Sequence, residues 1–114
     1  MALIKSEWLD SDRHAKMLDG AGWYFGVSDT VDNDLIVEFE NRGIKESEIP
    51  VDVLGFIDSR VLRKIGTNYA LFRLFSSNWG VRDSADIDIF KEKAWRYDIA
   101  YSEGIEMLTR SMVI

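Results

Sequence analysis

The chain contains no cysteine, one proline and one histidine in 114 residues. Without cysteine there is neither a disulfide framework nor a thiolate metal site, so the usual staples of small secreted domains are excluded. A reducing compartment is compatible with that usage. With a single histidine, a Cys-His pair is impossible and any Ser-His-acid triad must pass through His14. That residue lies in the polar run Asp12-Arg13-His14-Ala15-Lys16, where an exposed helix position is the simpler reading. No G-x-S-x-G surrounds a serine, and a zinc site made of one histidine and carboxylates is an unusual ligand set. Apolar runs of the ~20 residues a membrane span requires are also missing. Lys5, Glu7, Asp10 and Asp12 stand where a signal peptide needs an apolar stretch, so the expectation is a protein made and kept in soluble form.

What is present is enough for a core. Hydrophobic residues make up 46% of the chain and charged residues 30%, the balance of one folded domain rather than a disordered acidic polymer. The net charge of −6 is unevenly placed. Residues 1–50 hold 5 Lys or Arg against 11 Asp or Glu, while residues 51–114 hold 9 of each. Such one-sidedness points to an acidic face, for which Asp29, Asp32, Asp34, Glu38 and Glu40 are the candidates, and it disfavours gripping duplex phosphates. A solvated surface without a partner is the plainer alternative.

Apolar periodicity predicts a mostly α fold of four helices in a single domain: a small bundle built on an antiparallel hairpin, with an irregular acidic half at 1–50, two long helices within 51–111 and an extended tail at 112–114. Steps of three and four connect Leu54, Ile57, Val61, Ile65, Tyr69, Phe72 and Phe75, predicting a helix from Val51 to Ser77 with Pro50 just ahead of it. Asp58, Arg60, Arg63, Lys64 and Arg73 occupy its other side. Gly66 inside this run marks a bend or a close helix contact. After the stop signal Ser76-Ser77-Asn78-Trp79-Gly80, a second stripe runs through Ile87, Phe90, Ala94, Tyr97, Tyr101, Ile105, Leu108 and Met112, starting near Asp83-Ser84. Ala94, Ala100 and Gly104 on it permit close approach of a neighbour. In the first half, Ser6 is expected to cap a short helix reaching Leu18 with Leu9, Met17 and Leu18 inward. A further helix spans Thr30 to Arg42 with Leu35, Ile36 and Phe39 inward, ending at Gly43. The aromatic run Trp23 to Val27 between them reads as a short strand or a plugging loop.

Cofactor motifs fail on inspection. An EF-hand loop starting at Asp32 places Asp34 correctly but puts Ile36, Val37 and Gly43 where a ligand, a glycine and a glutamate are needed. The paired acids are better explained as helix-start caps and surface charge. Gly20, Gly22 and Gly26 resemble a dinucleotide loop except that Phe25 replaces the last glycine, and there is no Walker sequence. The expectation is therefore no enzyme, no cofactor and no metal. Trp95-Arg96-Tyr97 raises a different possibility. With Tyr97 on the inward stripe, Trp95 lies about 200° away around the axis, so it either packs under the N-terminal segment or serves a partner surface.

The runs Val61-Leu62-Arg63-Lys64-Ile65-Gly66-Thr67-Asn68-Tyr69-Ala70-Leu71-Phe72-Arg73-Leu74-Phe75 and Phe90-Lys91-Glu92-Lys93-Ala94-Trp95-Arg96-Tyr97-Asp98-Ile99-Ala100, followed by Glu106-Met107-Leu108, resemble the helical hairpin of tailed-phage head-to-tail connector proteins, also called adaptor or head-completion proteins. The resemblance covers residues 54–108. It implies a non-enzymatic virion protein assembled in the host cytoplasm, forming a homo-oligomeric ring, commonly of twelve copies, around the DNA channel. Its partners would be the portal and a tail or stopper protein, with no membrane and no sequence-specific nucleic acid contact. Met112, Val113 and Ile114, with Trp95, would then be the contacts to neighbouring subunits or to the portal. A competing expectation from the acidic half is a small inhibitor, an immunity or anti-defence protein covering a basic nuclease surface.

Overall fold

The computed structural model describes residues 3–13, 15, 24–78 and 84–111. Among these, three α-helices carry the architecture: α1 (Tyr24–Asn41), α2 (Arg60–Asn78) and α3 (Ser84–Ser111). Short 3-10 turns at Ser6–Ser11 and Glu46–Glu48 punctuate the remainder. The fold is thus the small helical bundle on an antiparallel hairpin that periodicity predicts.

Helices α2 and α3 form that hairpin. Phe75 meets Phe90 at 5.4 Å between ring centroids and stacks on Tyr97 at 6.0 Å, Tyr69 meets Tyr101 at 4.8 Å, and Gly104 abuts Ile65. Residue numbers therefore rise along α3 as they fall along α2. The predicted α3 stripe holds from Phe90 through Ala94 and Ile105 to Leu108, all buried, with Tyr97 and Tyr101 partly so. A methyl group built on Gly104 would stand 2.9 Å from Cγ1 of Ile65, so the absent side chain sets how closely the two helices approach.

The other face of α2 packs on α1, and this sandwiched position changes its pattern. Leu62, Ile65, Leu71, Leu74 and Phe75 are buried, whereas Val61 and Leu54 from the expected stripe are exposed. A helix covered on two sides needs a broad apolar arc, which a single three-and-four stripe does not capture. Val31, Leu35 and Phe39 supply the α1 side of the core. Burying each such side chain stabilises the fold by ~1.5–3 kcal/mol.

Three boundaries differ from expectation. Helix α2 begins at Arg60, because residues 51–59 form a tight loop instead. Val51 and Ile57 bridge antiparallel, Gly55 takes a φ of 90°, and the Asp52 carboxylate accepts hydrogen bonds from the Leu54 and Phe56 N–H groups at 2.9 and 3.1 Å. This side-chain turn competes with helix formation. Ser59 then caps α2, its hydroxyl oxygen accepting from the Leu62 N–H at 3.4 Å. Helix α1 begins at Tyr24, so residues 24–27 of the aromatic run are helical rather than strand or loop, and the helix ends at Asn41 with Gly43 at φ 91°. The N-terminal segment makes a 3-10 turn over Ser6–Ser11, with Arg13 and Ala15 helical beyond it, in place of a regular helix from Ser6. Leu9 is inward as expected, while Met17, Leu18 and the tail at 112–114 lie outside the described residues.

That N-terminal segment is stitched into the bundle. The Leu3 N–H donates to Oδ1 of Asp32 on α1 at 2.9 Å, and the Leu3 carbonyl accepts from the Ile57 N–H at 2.9 Å. Ile4 reaches over Gly66 of α2, where any larger residue would collide with its terminal methyl and crowd Leu35. Gly66 is thus a point of close contact, with the N-terminal segment and with Leu35 of α1.

Candidate interaction surfaces

Two internal polar clusters decide which charges remain for the surface. Asp12, at the end of the 3-10 turn, is buried against α3. Its Oδ2 accepts from Nζ of Lys93 and from the hydroxyl of Tyr97, each at 2.6 Å, and its Oδ1 accepts from the Ala15 N–H at 3.2 Å. Burial alone pushes the Asp12 carboxyl up. The three donors and the Lys93 charge outweigh it and hold the group below the ordinary carboxylate range. The Tyr97 hydroxyl moves the opposite way, raised by burial and by its bond to Asp12.

The second cluster joins all three helices. The Tyr69 hydroxyl of α2 donates a short hydrogen bond to Oδ2 of Asp34 on α1. Burial, that bond and the Asp34 charge push its titration up to about 12. Tyr101 of α3 is raised too, by burial and then by the Glu38 charge. Among the described residues, no three of His, Cys, Asp or Glu gather as metal ligands would, and no helix is long and apolar enough to cross a membrane. His14 lies outside the described residues.

The five acidic residues proposed as one face are divided by this arrangement. Asp32 is 5% exposed and faces the Leu3 N–H, so it does not belong to a surface. Asp34 is half-buried on Tyr69, and Glu38 is half-buried near Tyr69 and Tyr101. Glu40 is exposed. Asp29 belongs to α1, and its side chain is outside the described set. Alternation along α1 explains the split, because positions 31, 32, 35 and 39 share the inward side of one helix.

Trp95 is 67% exposed and does not pack under the N-terminal segment. Ile99, one turn on, joins it on the side of α3 opposite Tyr97 as a short apolar strip, while Met107, also exposed, lies about 120° round the axis from Trp95. Around this strip lie Asp98, Glu103 and Glu106, all exposed. Glu92 and Arg96 are engaged with each other at 3.0 Å. Met112, Val113 and Ile114 lie outside the described residues.

The N-terminal half of α2 carries a surface of opposite sign. A groove of about 1010 Å³ runs between the 3-10 turn and α2. Trp8, Ile57 and Leu71 form apolar parts of its lining, and Arg60, Arg63 and Lys64 are exposed along it, against Glu7 and Asp58. Arg63 lies over the Trp8 ring at 4.1 Å, which fixes one wall. Trp8 in turn meets Phe56 edge-on at 6.1 Å. The basic positions were legible as the polar side of α2, but the groove was not, since its other wall comes from residues 7–11. The Asp12–Lys93–Tyr97 cluster also escaped sequence reading, because 81 residues separate its charges. An inward tyrosine beside a lysine on the α3 stripe was its one available signal.

No protein-family model, curated protein or solved structure is significantly similar to the chain.

Proposed function

We propose that this protein is a structural component of a tailed-phage head-to-tail connector, one subunit of a ring between the portal and the tail that surrounds the DNA channel. The observation that carries this reading is the α2–α3 hairpin, whose outer helix leaves Trp95, Ile99 and Met107 uncovered. A large aromatic and its apolar neighbours on a rigid helix face are the chemistry of a protein–protein contact. The hairpin is also the segment on which the resemblance to connector proteins rests. A ring of such subunits needs no active site, and its acidic excess keeps passing DNA from adhering to the channel wall. The inhibitor reading draws less support, because Asp32 and Asp34 are turned to internal partners and the acidic face it depends on is broken.

The test is co-assembly. The full chain, mixed with the portal protein encoded in the same genome, should sediment as a ring-sized complex visible by electron microscopy, twelvefold if the family analogy extends to copy number. Absence of portal binding, together with inhibition of a nuclease at equimolar ratio, would overturn the proposal in favour of the acidic inhibitor.

A further inference from the structure

We infer that the basic groove beside α2 receives the outer face of α3 from a second copy of this chain, in a head-to-tail contact. The inference rests on the reading of the protein as a self-assembling subunit and names the two surfaces that would join. The two surfaces differ in sign. The groove presents Arg60, Arg63 and Lys64 against Glu7 and Asp58, a net positive lining, while the strip of α3 is bordered by Asp98, Glu103 and Glu106 against Lys91, a net negative one. Complementary charge of this kind orients two partners and suppresses wrong pairings.

Geometry prevents a chain from filling its own groove. Tyr97 lines the groove, and Trp95, two residues before it, points about 200° away around the helix axis. An α3 face can therefore enter this groove only from another molecule. Trp95 and Ile99, spaced i and i+4, are the anchors a helix uses when it lies in a groove, and a space of about 1010 Å³ accommodates an indole. Because the two patches are different, the contact is heterologous. Repetition then closes a ring or extends a filament instead of stopping at a symmetric dimer.

The absence of cysteine makes the test clean, since introduced thiols are the only ones present. Thr67→Cys places a thiol in the groove and Ser102→Cys places one on the exposed α3 face. Under mild oxidation, a mixture of the two full-length variants should give disulfide-linked dimer about tenfold above either variant alone, and above Thr67→Cys mixed with Glu40→Cys on α1. Adding Arg60→Glu and Lys64→Glu to the groove copy should lower the yield about tenfold, and adding Asp98→Lys and Glu103→Lys to the α3 copy should restore it. All four positions are exposed, and circular dichroism verifies that the variants remain folded. A mixed yield equal to the controls, or one indifferent to charge reversal, overturns the inference. Portal binding by the unmodified chain is scored separately. Binding without specific cross-links sinks this contact and leaves the connector reading standing, whereas cross-links without portal binding do the reverse.

Discussion

Asp12 illustrates how one buried carboxylate ties together segments that sequence distance keeps apart. Its partners, Lys93 and Tyr97, sit on α3, and Lys93 also lies 5.7 Å from the Phe75 ring centroid, so the charge is held over the hairpin core. Truncation by Asp12→Ala strands a lysine whose side chain is only 20% exposed. The expected loss is about 2–3 kcal/mol, below the range for a fully buried pair because Lys93 retains some water. Urea unfolding followed by circular dichroism measures it. The pH dependence has a definite sign. With its folded-state titration below the usual ~3.9, Asp12 contributes stability that is present above pH ~4 and is lost as pH falls through the lower, folded value. The gap between wild type and Asp12→Ala should therefore narrow as the medium is acidified below pH ~4. A gap constant from pH 7 to pH 3 would count against a charged Asp12 at this site.

At the scale of elements, the hairpin was legible because both of its helices repeat apolar residues every three or four positions and a polar turn separates them. The start of α2 was not. Leu54 and Ile57 continue the same spacing, but Asp52 and Gly55 divert the backbone into a loop, and Ser59 supplies the cap that restarts it. Spacing registers where side chains are apolar, and it is blind to a carboxylate that captures two backbone N–H groups. Gly104 was readable as a point of close approach, though its partner, Ile65, was not. Substituting Gly104→Ala sets two effects against each other. Helix propensity gains about 1 kcal/mol, while forcing a methyl to within 2.9 Å of a buried, β-branched Ile65 costs ~1–3 kcal/mol. Crowding should prevail, lowering stability by about 1 kcal/mol and the melting temperature by several degrees, as calorimetry would register. A stabilised Gly104→Ala protein would mean that α2 and α3 can separate freely at this end.

For the whole molecule, the distribution of charge is more informative than its sum. The acidic excess belongs to residues 1–50, yet part of it is spent internally: Asp12 holds α3, Asp32 holds Leu3 and Asp34 holds Tyr69. A helix periodicity can assign an acid to a face, but it cannot say that a backbone N–H from the other end of the chain will meet it there. Trp95 was legible only in part: a residue two positions from an inward tyrosine must point elsewhere on a helix, but spacing could not say that the N-terminal segment would leave it uncovered. Its role can be separated from folding by comparing two measurements on one variant. At 67% exposure, Trp95 contributes little to the core, so Trp95→Ala should change unfolding free energy by less than about 0.5 kcal/mol. If it anchors a subunit contact, the same substitution should weaken assembly by about 2 kcal/mol, roughly thirtyfold in the association constant, by sedimentation in the presence of the portal. Loss of stability with intact assembly would assign Trp95 to the fold after all. Loss of assembly with unchanged stability is the result expected of a residue that the hairpin holds outward for another molecule.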